Sequence, residues 1–151
     1  MNLLERAAAR RQVTLGSLDL ANQAELGQFF TPTAVARIMA DLVHLPASGT
    51  LRVLDPGAGS GMLSAAVVDR VRRERPDVQV SVTAVELDQR LWPVLADTLA
   101  DCAAESGVRT SLVKSDFVQW ALHTDERFDV VIQNPPYHKK GVSILVPVGG
   151  G

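Results

Sequence analysis

Four residues stand where an apolar run gives way to a turn, and each carries a side chain able to hold a ligand. Asp55 follows Leu51-Arg52-Val53-Leu54, Glu86 follows Val78 to Val85, Asp116 follows Arg109 to Lys114, and Asn134 follows Phe128 to Gln133. Carboxylates accept hydrogen bonds from hydroxyls and amines; an amide both accepts and donates. Pro135 restricts Asn134 to an extended backbone, and Pro135 and Pro136 stiffen the turn while leaving only carbonyl acceptors. Tyr137 adds a flat face for stacking. Asn134-Pro135-Pro136-Tyr137 therefore suits gripping a flat, polar, nitrogen-bearing group. The bland alternative is a proline-rich loop with a buried tyrosine.

The other three acids have alternatives of the same kind. In Asp55-Pro56-Gly57-Ala58-Gly59-Ser60-Gly61, the glycines Gly57, Gly59 and Gly61 allow a tight turn and a close approach to a ligand. A plain strand–helix turn uses glycine too. The loop lacks the Lys-Ser/Thr pair of a phosphate-binding P-loop, and Asp55 would repel phosphate and attract an amine. Glu86 stands where an acid accepts from ribose hydroxyls in dinucleotide folds, or where it places charge at the start of a helix. Asp116 with Phe117 could hold a purine amino group and its ring, or Ser115 or Asp116 could simply cap a helix. Three acids at the ends of three successive strands carry more weight than any one of them.

The elements that position these residues read as alternating strands and helices. Strands are expected at 51–54, 78–85, 109–114 and 128–132, with helices at 61–74, 88–105 and 116–122 between them. That alternation specifies a parallel α/β sheet, in which ligands sit at the carboxyl ends of the strands. Before it, residues 2–13 form a helix with Leu3, Leu4, Ala7 and Ala8 on one side, residues 14–28 read as irregular, and Thr31-Pro32 starts a helix with Thr31 as N-cap. Val35, Ile38, Met39, Leu42 and Val43 repeat at helical spacing through about residue 45.

Composition bounds the function. With 151 residues, one domain is expected, and 46% hydrophobic content is ordinary for a globular fold. A formal charge of −2 means that any nucleic-acid contact must come from local patches. The single Cys102 excludes an internal disulfide and a cysteine-based zinc site. No signal peptide and no membrane-length apolar run is visible, so a soluble cytoplasmic protein is the default. Arg70, Arg72, Arg73 and Arg75 read as a solvated helix terminus, and Arg6, Arg10 and Arg11 as a solvated face that could touch phosphate.

Taken in order, these segments resemble the S-adenosylmethionine-dependent DNA methyltransferases that modify the adenine amino group, with the gamma order of motifs. Gly27-Gln28-Phe29-Phe30-Thr31-Pro32 resembles the motif ahead of the cofactor loop, and Asp55 to Gly61 resembles that loop. Val85-Glu86-Leu87-Asp88, Ser115-Asp116-Phe117 and Asn134-Pro135-Pro136-Tyr137 resemble the ribose, adenine-contact and catalytic motifs. The resemblance implies a Rossmann-like class I methyltransferase sheet of about four strands in order 3-2-1-4, incomplete, with N-terminal helices: a helical segment at 1–45 and a partial catalytic domain at 46–151. It implies that Phe30, Thr31 and Pro32 flank the methionine end of S-adenosylmethionine, with Asp55 near its amino group and Gly57, Gly59 and Gly61 against it. Glu86 would hold the ribose, and Asp116 and Phe117 the cofactor adenine. A target adenine, flipped from the duplex, would stack on Tyr137 while Asn134 and Pro135 accept its amino hydrogens. His138-Lys139-Lys140 would meet phosphate or solvent.

The family continues well beyond this last motif, so the chain is expected to be truncated, a fragment or half of a split enzyme. A second chain would then supply the missing strands and target recognition, and strand 4 would stand at an exposed edge. Restriction-modification DNA methylation is the function so implied. The alternatives are methylation of RNA or of a protein glutamine amide, and a non-catalytic cofactor-binding fragment.

Overall fold

The computed structural model describes residues 1–27 and 30–135. Four parallel strands, β1 (Thr50–Pro56), β2 (Gln79–Val85), β3 (Val108–Val113) and β4 (Val130–Val131), lie in the order β3-β2-β1-β4, as the resemblance implies. Strand β1 pairs along its whole length with β2, from Thr50↔Gln79 to Pro56↔Val85. Its Leu51, Val53 and Leu54 and the Val80, Val82 and Ala84 of β2 are all buried, as expected of strands covered on both faces. The helices are α1 (Leu3–Gly16), α2 (Leu20–Gly27), α3 (Thr33–Asp41), α4 (Met62–Glu74), α5 (Trp92–Ala104) and α6 (Phe117–His123). One core joins β1 and β2 to α4, α5 and the Leu3, Leu4 and Ala7 side of α1.

Several elements depart from expectation. The segment expected to be irregular at 14–28 is mostly helical over its described part: α1 runs on to Gly16, and α2 follows after Asp19, whose Oδ1 accepts from the Asn22 N–H at 2.8 Å. Burial stabilises this short helix, because Leu26 packs with Phe30, Leu91 and Val94 in a second small core. Helix α3 starts after Pro32 rather than Thr31, without a side-chain cap, and ends at Asp41. Its buried residues are Ala36 and Ala40, one turn apart and facing α4, while Ile38 and Leu42 are exposed. Small residues allow the two helices to approach closely, which apolar spacing alone does not reveal. Helix α5 begins at Trp92 instead of residue 88, because Asp88 folds back onto the Arg90 guanidinium, 2.6 Å away. Strand β4 has two residues instead of five, although bonds from Asp129 N to Arg52 O and from Ile132 N to Leu54 O prolong its pairing with β1.

The arginines also do something other than expected. Arg6 and Arg10 both pair with Asp101 of α5, at 3.2 and 2.5 Å. Arg70 donates to the carbonyls of Ala40 and Val43 and closes the end of α3. Arg72 donates to the carbonyls of Pro76, Ser106 and Val78. These cations knit helices and loops together, while Arg73 is exposed, as expected of a solvated helix terminus, and pairs with Asp69.

Candidate active site

The glycine-rich loop leaves β1 in a conformation that demands its glycines. Gly57, Gly59 and Gly61 have φ of 66°, 59° and 87°, in the left-handed region that side chains disfavour. At Gly61 space is short as well, since a Cβ there would lie 2.9 Å from Thr98 Cγ2. The loop is tied to the next strand by a bond from Ala58 N to Val85 O at 3.0 Å.

That tie places Glu86 against the loop. Its Oε1 accepts from the Gly59 N–H and its Oε2 from the Asp88 N–H, both at 2.8 Å, and the side chain is buried. Each oxygen keeps a further lone pair for a ligand hydroxyl. The helix-charge alternative does not apply, because α5 starts only at Trp92. Trp92 instead donates its indole N–H to the Glu86 carbonyl at 2.9 Å.

Asp55 is almost completely buried, at 1% exposure. The Ser64 hydroxyl donates to its Oδ2 at 2.6 Å. Ser64 lies in the first turn of α4, whose N-cap, Gly61, has no side chain to offer. Asp55 therefore serves the helix start from a distance, and a carboxyl group there also meets the positive end of the helix dipole. Desolvation nevertheless dominates and pushes its pKa up to about 7, with the nearby Glu86 charge adding to the rise.

Asp116 is the N-cap of α6, accepting from the Gln119 N–H at 3.0 Å, so the capping alternative is realised. Its neighbour Phe117 enters a cleft of about 260 Å³ lined by Pro56, Gly57, Glu86, Phe117, Gln133, Asn134 and Pro135. Five residues singled out in the sequence thus meet at the carboxyl ends of the strands: Gly57, Glu86, Phe117, Asn134 and Pro135. Asp55, Gly59, Gly61 and Asp116 stand behind this lining. Thr31 reaches it through its hydroxyl, 3.4 Å from Asn134 Nδ2, while Phe30 is buried beside it and Pro32 opens α3. Pro136 and Tyr137, together with His138 to Lys140, lie outside the described residues.

A larger cavity, of about 740 Å³, lies between α3 and the free side of β4. Of the lining residues of the cleft it shares only Gln133, and none of the glycine loop, Asp55, Glu86 or Asp116 lines it, so the smaller cleft is the candidate active site. Sequence reasoning missed Gln133, Ser64 and Arg11, whose Nη1 donates to the Thr31 carbonyl at 2.9 Å. Gln133 had a signal, standing beside Asn134 at a strand end. Nothing in spacing links Ser64 to Asp55 or Arg11 to Thr31.

A parallel 3-2-1-4 sheet with a glycine loop after its central strand, an acid after the next and an Asn-Pro turn after the edge strand defines a class I methyltransferase domain. The sequence matches the N-6 DNA Methylase family over residues 13–144, and the chain belongs to that family. It is 34% identical over 131 residues to the type II methyltransferase M.BsuBI of Bacillus subtilis, a match covering 80% of this chain and 26% of that protein. It is 33% identical over 102 residues to the tRNA1(Val) (adenine(37)-N6)-methyltransferase of Citrobacter koseri, covering 68% of this chain and 39% of the relative. The chain thus spans well under half the length of these relatives. Among solved structures, a Listeria monocytogenes protein assigned to the class I S-adenosylmethionine-dependent methyltransferases superposes with a TM-score of 0.62 at 21% identity, covering 90% of this chain and 40% of that one. The type I restriction-modification methyltransferase subunit of Streptococcus thermophilus does so with a TM-score of 0.55 at 26% identity, covering 73% and 24%. The family and fold are those of S-adenosylmethionine-dependent methyltransferases.

Proposed function

We propose that this chain carries the cofactor-binding and catalytic core of an enzyme that methylates the exocyclic amino group of adenine in DNA. One observation carries the reading: Asn134 and Pro135 share a single cleft with Glu86, Gly57 and Phe117. The cleft fits the cofactor chemically. Glu86 has lone pairs left for the ribose hydroxyls, Phe117 offers a ring face, and Gly57, with open space where a Cβ would be, lets a ligand approach the backbone. When bound, S-adenosylmethionine supplies a methyl group already activated by its sulfonium.

The chain's own residues do the rest by positioning and electrostatics. An aromatic amino group is a poor nucleophile, because its lone pair is delocalised into the ring. The Asn134 Oδ1 and the Pro135 carbonyl can each accept one amino hydrogen. Holding both hydrogens favours a more tetrahedral nitrogen with an available lone pair. Asn134 is no base at neutral pH, so its part is orientation.

The similarity to M.BsuBI and the contact of Thr31, from the segment ahead of the cofactor loop, with Asn134 support a DNA substrate of restriction-modification type. RNA is the second reading, favoured by the tRNA-modifying relative. The exposed edge at Val131 and the likeness to a restriction-modification subunit support a partner that completes the sheet and reads the target. Incubating the purified chain with methyl-labelled S-adenosylmethionine and, separately, duplex DNA, RNA and protein extract tests the reading. Label in DNA adenine is expected; label only in RNA or protein would overturn the DNA assignment.

A further inference from the structure

Two contacts run in series from α1 to the candidate catalytic amide. The Arg11 guanidinium donates to the Thr31 carbonyl at 2.9 Å, and the Thr31 hydroxyl meets Asn134 Nδ2 at 3.4 Å. They link residues 20 and 103 positions apart, so neither is a by-product of local chain geometry. Thr31 is buried, and Arg11 is drawn in far enough that its Nε has no partner among the described residues. Leaving a guanidinium nitrogen unsatisfied is costly, so the bond to Thr31 has to hold Arg11 in place against that cost.

An asparagine amide can face either way, and its two ends differ chemically. With Nδ2 toward the hydroxyl of Thr31, Oδ1 is turned away and free to accept. Flipped, the amide would present a donor to the amino group of a substrate, which has donors of its own and no strong acceptor. We propose that Arg11 and Thr31 form a positioning pair: Arg11 fixes the backbone at Thr31, and the Thr31 hydroxyl fixes the Asn134 amide with Oδ1 toward the nitrogen to be methylated. Arg11 does not line the cleft and acts through Thr31. The inference rests on the amino-methylating reading for its purpose but on the two contacts alone for its geometry.

The test separates the two. In the 15N-labelled full chain, the Asn134 side-chain amide is assigned, and its shift and hydrogen exchange are compared in wild type, Thr31→Val, Thr31→Ser and Arg11→Met. Exchange is expected to quicken by about fivefold in Thr31→Val and by less in Arg11→Met, in keeping with one hydrogen bond, and to be restored in Thr31→Ser. In the methylation assay, kcat should fall by a similar factor in Thr31→Val and recover in Thr31→Ser. Arg11→Met should have no added effect on kcat in the Thr31→Val background. Unchanged Asn134 signals in Thr31→Val overturn the proposal whatever the activity; the Val and Ser pair decides it even if Arg11→Met does not fold. Shifted signals without methyl transfer to any substrate uphold the pair and count against the methyltransferase reading alone.

Discussion

The two walls of the cleft are built differently. The wall made by the glycine loop and Glu86 hangs from β1 and β2, which pair along seven residues and are buried on both faces. Each of its backbone turns is bonded to another element: Ala58 to Val85, Gly59 to Glu86, and Asp55 to Ser64. The wall made by Asn134 hangs from β4, which has two residues in the ladder and, among the described residues, one neighbour. Beyond its backbone bonds to β1 and the burial of Ile132 in the core, it is tied by the 3.4 Å contact of Asn134 with Thr31 and the surface pairing of Asp129 with Arg52. A strand in mid-sheet has both rows of backbone groups satisfied, whereas an edge strand has one, and the difference sets how firmly each wall is held. Under the proposed function, the preorganised side is the one that would hold the cofactor, and the lightly held side is the one that would admit the target base.

Variants can break this division of labour. The largest effect is expected for Asn134→Ala, which should lower methyl transfer by about a thousandfold, the scale seen when a transition-state hydrogen-bonding group is removed. Cofactor affinity, measured by calorimetry, should stay nearly intact; loss of binding would show that the walls are not separable.

Burial of Asp55 makes a pH prediction of comparable size. Its pKa is raised from an ordinary 3.8 to about 7, so the folded state binds a proton more tightly than the unfolded chain. The contribution of this group to stability is full below about pH 4 and is lost as pH rises towards 7, by on the order of 4 kcal/mol. Asp88 and Asp101 are shifted down, mainly by Arg90 and by Arg10 and Arg6, which overcome the opposing effect of burial; their contribution is instead lost as pH falls. Urea melts of Asp55→Asn against wild type between pH 4 and pH 8 isolate the first effect. The difference in stability between the two proteins should change across that window; a constant difference would mean Asp55 is ionised in its buried setting.

Gly61→Ala should cost about 3 kcal/mol of stability, because it combines a left-handed φ with a Cβ pressed on Thr98. An equal loss from Gly57→Ala, where the space is open, would mean that φ alone matters. Smallest is Glu86→Gln, which keeps acceptance from one backbone N–H and loses the charge. It should weaken cofactor binding by about tenfold, with kcat at saturation little changed.

How far these features could be read in advance depends on whether their cause is local. The parallel sheet, the glycine loop and the placing of Gly57, Glu86, Phe117, Asn134 and Pro135 at strand ends were legible, because apolar runs and turn residues report on parallel sheets and their carboxyl ends; the strand order came only from the family resemblance. Helix α2 was not, since Leu26 is buried by Phe30, Leu91 and Val94, which lie elsewhere in the chain. Nor was the buried side of α3, where alanines rather than the larger apolar residues face α4. The bond that Ser64, nine residues on, donates to Asp55 was not legible either, since spacing does not link the two. Asp116 was assigned to the cofactor adenine with a cap as the alternative, and the 3.0 Å bond from the Gln119 N–H shows that it caps α6.

The amino-acid sequence alone therefore determined the chemistry on offer: which acids, which amide, which glycines, and the sheet that carries them. Those choices rest on hydrophobic period and backbone propensity, which act over a few residues. Tertiary structure decided which of these groups line the cleft, which serve helix starts, and which way Arg11, Thr31 and Asn134 meet. Such pairings join residues many positions apart, and only the packed chain brings them within hydrogen-bonding distance.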